Sequence, residues 1–362
     1  MGLCVSQLKL RDFRSYEARD ISLSNTLTVL VGRNAVGKTN AVEALQMLTA
    51  GTSFRHPTPV QQIREGCERA RIAAVLEGDG RVVDVACTIE PGRRSFERNG
   101  KRVHAQDMPE TLMSVLFNPD DLSLVKRGAS QRRDELDSFG CQANRGYSKV
   151  LAAYQRSIEQ RNRLLKDDMP DLAMLDAWDA SVALGGATLA LARMRLFERL
   201  AERMRDIYQQ ISPGETLSVA YVSSIGEDLL SHTRDEVADI YAARLAEGRS
   251  DDLRRQTTLI GPHRDDVTFS IDGRDVRQYG SQGQQRSVVL ALKMAEVVLS
   301  EEILGEQPLL LLDDVMSELD AERRAAFVAF IQQGIQTVIT TTNLGYFPKE
   351  LLDTAKVVTI DG

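Results

Sequence analysis

Apolar and polar positions change their spacing several times along this 362-residue chain. Leu8 and Leu10 alternate with polar neighbours, Ile21 and Leu23 follow, and Leu27–Val31 is a short apolar run rich in β-branched residues, which predicts three short strands within residues 3–31. Val42, Leu45 and Leu48 then recur at helical spacing over Asn40–Leu48, before an irregular stretch, Thr52–Gly66, that holds Pro57 and Pro59. Ala70–Leu76, Val82–Ile89 and Leu112–Phe117 read as strands, and Arg93–Val103 as a hairpin turning on Asn99-Gly100. From Asn144 the period becomes helical, with Tyr147, Leu151, Tyr154, Ile158 and Leu165 on one face. Met169-Pro170 breaks that helix, and a second runs from Asp171 to near Gln210, where Gly185-Gly186 is expected to bend or interrupt it. Two helices across a short break suggest an antiparallel arm. Ile225–Glu247 predicts a further helix and polar Arg249–Arg255 a linker. Near the end, Val289, Leu292, Ala295 and Leu299 mark one more helix, and Leu309–Leu312 a buried strand.

Chemistry enters where the third strand stops. Gly32-Arg33-Asn34-Ala35-Val36-Gly37-Lys38-Thr39-Asn40 fits the phosphate-binding loop, with a strand before it and a helix after it. Glycine lets backbone N–H groups approach phosphate closely, and the helix N-terminus adds partial positive charge. Lys38 then reaches the β and γ phosphates and the Thr39 hydroxyl ligates Mg²⁺.

About 275 residues later the apolar strand ends in Asp313-Asp314. One carboxylate there suits the metal and the other a water molecule, as an ATP·Mg²⁺ site requires. Such distant partners share one sheet only if the intervening chain is an insertion. A third element, Tyr279-Gly280-Ser281-Gln282-Gly283-Gln284-Gln285-Arg286, precedes a helix. Ser281-x-x-Gln284 fits a capping box, and an exposed capped end is also an anion site.

Apolar content of 43% and charged content of 27% are those of a globular chain. No secretory segment is evident, and no apolar run approaches the roughly 20 residues that cross a bilayer, so a cytoplasmic protein with no membrane role is expected. Cys4, Cys67, Cys87 and Cys141 lack zinc spacing and read as structural thiols. A net charge of −7 argues against general nucleic-acid affinity, so a DNA site needs local patches. Two exist: Arg93, Arg94, Arg98, Lys101 and Arg102 in the hairpin, and Lys126, Arg127, Arg132 and Arg133 after it. Either is a candidate for phosphate-backbone contact or a solvated face. Arg14 reads as a surface charge or as a cation beside the nucleotide.

The order of phosphate loop, Ser-x-Gly-Gln-Gln, and apolar strand with Asp-Asp followed by Ser317-Glu318-Leu319-Asp320 resembles the ABC/SMC class of ATPase heads. Within that class the chain is similar over nearly its whole length to the bacterial RecF family. The likeness rests on Asp12-Phe13-Arg14-Ser15-Tyr16, Gly37-Lys38-Thr39-Asn40, Phe117-x-Pro119-x-Asp121-Leu122-x-Leu124-Val125, Arg132-Arg133-x-x-Leu136-Asp137, Arg161-Asn162-x-Leu164-Leu165, Gly261-Pro262-His263-Arg264-Asp265-Asp266 and Ser281-x-Gly283-Gln284-Gln285-Arg286.

The resemblance implies an α/β fold, an ABC-ATPase-like head with an inserted helical arm. Residues 1–125 would begin the ATPase lobe, 126–254 form the helical lobe, and 255–362 complete the first. It further implies a recombination mediator that binds ATP and Mg²⁺, dimerises in the presence of ATP, and engages gapped single-strand/double-strand DNA with RecO and RecR to load recombinase. By motif, Lys38 and Thr39 bind phosphates and metal, Asp313 the metal, and Asp314 polarises water. Ser281, with Gly283 and Gln284 beside it, would meet the γ-phosphate of the opposite protomer, and Asp320 would lie at the same interface. Family members usually carry glycine where this chain has Ala35, and alanine in a left-handed conformation costs about 1–2 kcal/mol. Thr340, Thr341 and Thr342 stand where transporter ATPases carry a switch histidine, so slow, DNA-stimulated hydrolysis is expected, a switch rather than a motor.

Three other readings compete. A transporter ATPase subunit is disfavoured by Asp314, by the absent histidine and by the inserted arm. An SMC- or Rad50-like tether needs far longer arms than the ~240 residues between loop and signature allow. An ATP-sensing protein that never hydrolyses would use the same carboxylates for binding alone.

Overall fold

The computed structural model describes residues 2–361 and divides the chain into two compact units. The first comprises residues up to Ser123, Gln210–Pro213 and Val289 onward; the second comprises Leu124–Gln209 and Gly214–Val288. In chain order the first unit opens with β1 (Cys4–Phe13), β2 (Tyr16–Ser22), β3 (Leu27–Val31), α1 (Lys38–Ala50), the single turn α2 (Pro59–Gln62), β4 (Ala70–Gly78), β5 (Arg81–Glu90), β6 (Arg93–Arg98), β7 (Lys101–Val103) and β8 (Ser114–Phe117). Then come α3 (Ala129–Ala143), α4 (Arg145–Leu164), α5 (Leu172–Ile211), β9 (Leu217–Val222), α6 (Arg234–Arg255), β10 (Asp266–Ile271), β11 (Arg274–Asp275), α7 (Val276–Tyr279) and α8 (Gln282–Leu304). The chain ends with β12 (Leu309–Asp313), α9 (Ala321–Ile331), β13 (Thr337–Thr341), α10 (Lys349–Thr354) and β14 (Lys356–Thr359).

The first unit holds an antiparallel sheet, ordered β2-β1-β4-β5-β6-β7, and a parallel sheet, ordered β14-β3-β13-β12-β8. Continuous apolar runs such as Leu309–Leu312 belong in parallel strands buried on both faces, and β12 and β13 are buried throughout. Helix α1 packs against strands of both sheets and is buried on nearly every side, from Ala41 through Thr49. The hairpin turns as expected, with Asn99 at φ 50° and Gly100 at φ 72°.

In the second unit α4, α5 and α6 share a core around Tyr154, Val182, Ala187, Leu189, Tyr241 and Leu245. Strands β11, β10 and β9 make a small antiparallel sheet. Four expectations change here. The helical lobe does not close at residue 254: β10 pairs with β9 along its length and Asp266 binds Arg132, so residues through Val288 belong with it. The polar Arg249–Arg255 run is helix, not linker, because its charges face interior partners: Asp252 is buried against Arg161, and Arg249 bridges Asp176 and Asp179. That helix begins at a Thr233/Glu236 capping box rather than at Ile225.

Gly185-Gly186, lastly, leaves α5 an uninterrupted helix of 40 residues, because an aromatic pair fills the space beside it. By length and composition α5 is also long and apolar enough to cross a bilayer, but half of its most apolar stretch is buried inside the protein and its apolar side fills this core.

The two glycines separate by what a methyl group would meet. A Cβ at Gly185 lies 3.8 Å from the nearest atoms of Tyr154, an ordinary contact, whereas one at Gly186 lies 2.4 Å from Tyr241 Cε1. Gly185→Ala should therefore stabilise the protein by about 0.5–1 kcal/mol, while Gly186→Ala destabilises it, as urea unfolding of the two variants will read.

Candidate nucleotide site

Parallel strands deliver chemistry at their carboxyl ends. Strand β3 runs into the glycine loop and β12 ends at Asp313, with β13 lying between them in register, Leu30 opposite Thr340 and Thr340 opposite Asp313. The Thr39 hydroxyl donates to Asp313 Oδ1 over 2.9 Å and the Thr340 hydroxyl donates to the same oxygen over 2.8 Å. The Asp314 N–H in turn donates to Thr340 Oγ1. Thr340 therefore holds the Asp313 carboxylate and the Asp314 backbone together, a role that no sequence motif indicated.

Burial pushes the Asp313 carboxyl up, and the Thr340 and Thr39 hydrogen bonds oppose that rise without cancelling it. Asp314 is also raised, first by burial, with Asp313 and Glu318 adding to it and Lys38 opposing. It sits at φ 56°, a left-handed backbone that carries its side chain away from the strand direction.

The loop itself has the shape of an anion cradle. Gly37 has φ 106°, and a Cβ there would stand 2.9 Å from Ser15 Oγ. No side chain caps α1 and its first turn holds no acidic residue, so its leading N–H groups and partial positive charge face the loop. The Lys38 ammonium donates to Gly32 O (2.9 Å) and Arg33 O (2.8 Å) across the loop, whose tip, Arg33, Asn34 and Ala35, is exposed. Val36 is half-buried, and the Asn40 amide donates to Ser15 Oγ. Ala35 does adopt φ 65°, so the 1–2 kcal/mol strain expected of alanine in that region applies, at about that size. Uncapped N–H groups, an ammonium, a hydroxyl and a carboxylate form a donor set that fits a polyphosphate with a hard divalent cation.

Arg14 is neither a surface charge nor turned toward the loop. It grips Glu43 of α1 bidentately, at 3.0 and 2.7 Å, and donates a third bond to Gln61 O. Glu43 is fully buried and also accepts from Ser53, Arg55 and Gln62. Burial pushes its carboxyl up, but the bonds from Arg14, Ser53 and Gln62 outweigh it and leave the pKa lowered.

The basic patches are largely occupied. Arg94 donates to Gln62 Oε1 and Pro57 O, Arg98 to Thr111, and Arg93 pairs with Glu90 at 2.6 Å. Arg132 is buried, gripping Asp266 and the carbonyls of Leu124, Val125 and Arg127; Arg133 donates to Asp265 O. As a DNA contact Arg132 is corrected, since a buried guanidinium cannot meet a phosphate backbone; Arg133 is half-buried. Lys101, Arg102 and Arg127 are exposed.

Ser281 caps α8 as its spacing implied: its hydroxyl accepts from the Gln284 N–H while Gln284 Oε1 accepts from the Ser281 N–H. Ser281 is exposed, Gly283 half-buried, and the Gln284 amide also donates to Glu215. Asp320 caps α9, accepting from the Arg323 N–H.

Removing the Glu43 carboxylate strands Arg14, so Glu43→Ala should cost about 3 kcal/mol in chemical denaturation. Its folded pKa lies below the ordinary value of about 4.5, so the stability it adds is complete above that value and lost as pH falls through the folded pKa. Glu43→Gln should accordingly flatten the acid limb of the stability–pH curve.

Residues 4–359 match the family described as the RecF/RecN/SMC N terminal domain. A DNA replication and repair protein RecF from Gloeobacter violaceus is 40% identical over 98% of this chain and 96% of its own length. One from Symbiobacterium thermophilum is 40% identical over 94% and 92%. Among solved structures, that of the recombination mediator protein RecF-ATPrS in the RecFOR pathway matches with a TM-score of 0.91 at 28% identity, over 99% of this chain and 98% of that one. An Smc head domain from Pyrococcus furiosus shares the fold, with a TM-score of 0.57 at 17% identity. With this mixed α/β ATPase-head architecture and these relatives, the chain belongs to the RecF family of DNA replication and repair proteins.

Proposed function

We propose that this protein is an ATP-dependent recombination mediator, an ATPase that pairs with a second copy on gapped DNA and acts with RecO and RecR to load recombinase. The observation that carries the reading is the meeting of Thr39 with Asp313, residues 274 positions apart, at the carboxyl ends of parallel strands β3 and β12, which flank β13. Lys38 and the α1 amides would hold the phosphates of ATP, and Thr39 and Asp313, already joined by a hydrogen bond, would hold Mg²⁺, which when bound would offset charge on the phosphate oxygens. Asp314, with its raised pKa, orients the attacking water as a weak general base, and with threonine in place of a histidine beyond it the turnover is slow, a switch that DNA accelerates.

Ser281, exposed, with half-buried Gly283 and Gln284 beside it, makes a capped helix end that supports contact with the γ-phosphate held by the opposite protomer, with Asp320 at the same interface. Ser281→Arg should leave ATP binding by the monomer intact and abolish ATP-dependent dimers in sedimentation velocity. Dimers of normal strength would refute the trans arrangement.

DNA contact falls to the exposed cations, chiefly Lys101 and Arg102 at the hairpin tip, with Arg93 and Arg127 secondary. Each neutralised duplex phosphate adds about 0.9 to the slope of log affinity against log salt, so Lys101→Ala/Arg102→Ala should lower that slope by about 1.8. An unchanged slope would remove the hairpin from the DNA site.

A further inference from the structure

The second unit carries a surface feature that nucleotide chemistry does not use. A groove of about 550 Å³ runs along one face of α5, floored by Phe197, Ala201 and Leu230 with Met194 at one end. Glu198 and Glu202 stand exposed one turn apart on its wall, with Arg205 beyond them. The opposite wall is Val219, Ala220 and Tyr221 of β9. Side chains of consecutive strand residues point to alternate faces, so three in a row border one groove only where the strand presents its edge.

Strand β9 is the last strand of its sheet and, among the described residues, pairs only with β10. Its other edge offers backbone donors and acceptors, which natural sheets normally cover or guard with charge. The Phe197 ring lies 5.8 Å from that of Tyr221, whose hydroxyl donates to Asp265, so floor and wall are held together. From Met194 to Arg205 the helix rises by roughly 16 Å, the span of about five extended residues.

We infer that this groove receives an extended segment of a protein partner, which adds a fourth strand beside β9. Alternate side chains of that segment are aliphatic, entering over Phe197 and Ala201, and basic, meeting Glu198 and Glu202. Glu198 and Glu202 outnumber Arg205 on the lining, and although Arg203 lies 3.8 Å from Glu202, the surplus carboxylate favours a basic over an acidic occupant.

The test uses the full-length protein and two labelled eight-residue peptides, one alternating valine with lysine and one alternating valine with glutamate, read by fluorescence anisotropy and amide hydrogen exchange. The basic peptide should bind saturably, at least tenfold more tightly than the acidic one, and slow exchange across 217–222. Glu198→Lys/Glu202→Lys, both exposed and outside the nucleotide site, should reverse the preference while ATP binding stays unchanged. Equal binding of both peptides, protection that survives the charge reversal, or β9 protected instead by self-association in sedimentation would each overturn the assignment. Because ATP binding is read separately, a failed nucleotide reading leaves this result interpretable.

Discussion

One carboxylate oxygen organises the candidate site. Asp313 Oδ1 takes a hydroxyl from the helix after the phosphate loop and another from the strand lying between that loop and Asp313 itself. In a buried setting such bonds gain strength, and an unpaired carboxylate there would be costly. Loop, central strand and carboxylate strand are thereby locked in one register, and the two acidic residues stay at fixed places relative to Lys38.

Behind the loop the same logic is repeated with a full charge. A helix buried between two sheets has no solvated side for a glutamate, yet α1 carries Glu43 in its interior. The solution is a ring of donors drawn from the β1–β2 turn and from residues 53–62, among them the bidentate Arg14. Arg94 extends that ring through Gln62, which ties the hairpin to the loop helix and explains why a cation with the look of a surface charge is engaged. The second unit is built likewise, with Arg161 shared by Asp179, Asp252 and Thr258, and Arg193 held by Asp137 and the Pro262 carbonyl. Most of the basic motifs serve these interiors rather than a ligand.

Much of the site was legible before any coordinates. Gly32–Asn40, Ser281-x-x-Gln284 and Leu309–Asp314 are local patterns in which a few neighbouring residues dictate backbone shape, and each folds as its spacing implied. The hairpin at Asn99-Gly100 and the strands of the first unit follow for the same reason, since period-two alternation and turn residues act over short range. Illegible were the long-range partners. Arg14, Arg94, Arg132 and Arg133 look alike in a string of letters, and only the positions of Glu43, Gln62, Asp266 and the Asp265 carbonyl decide which partner holds each.

What the sequence by itself determined, then, is the family, the α/β head and the identity of the phosphate loop, because these rest on contiguous residues whose conformations follow from glycine, proline and hydrophobic period. Tertiary structure alone decided that Thr340 links the Asp313 carboxylate to the Asp314 backbone, that the inserted lobe runs on to Val288, and that Gly185-Gly186 stays within one helix. Those outcomes depend on contacts between residues tens to hundreds of positions apart, and burial, not local propensity, sets their energies.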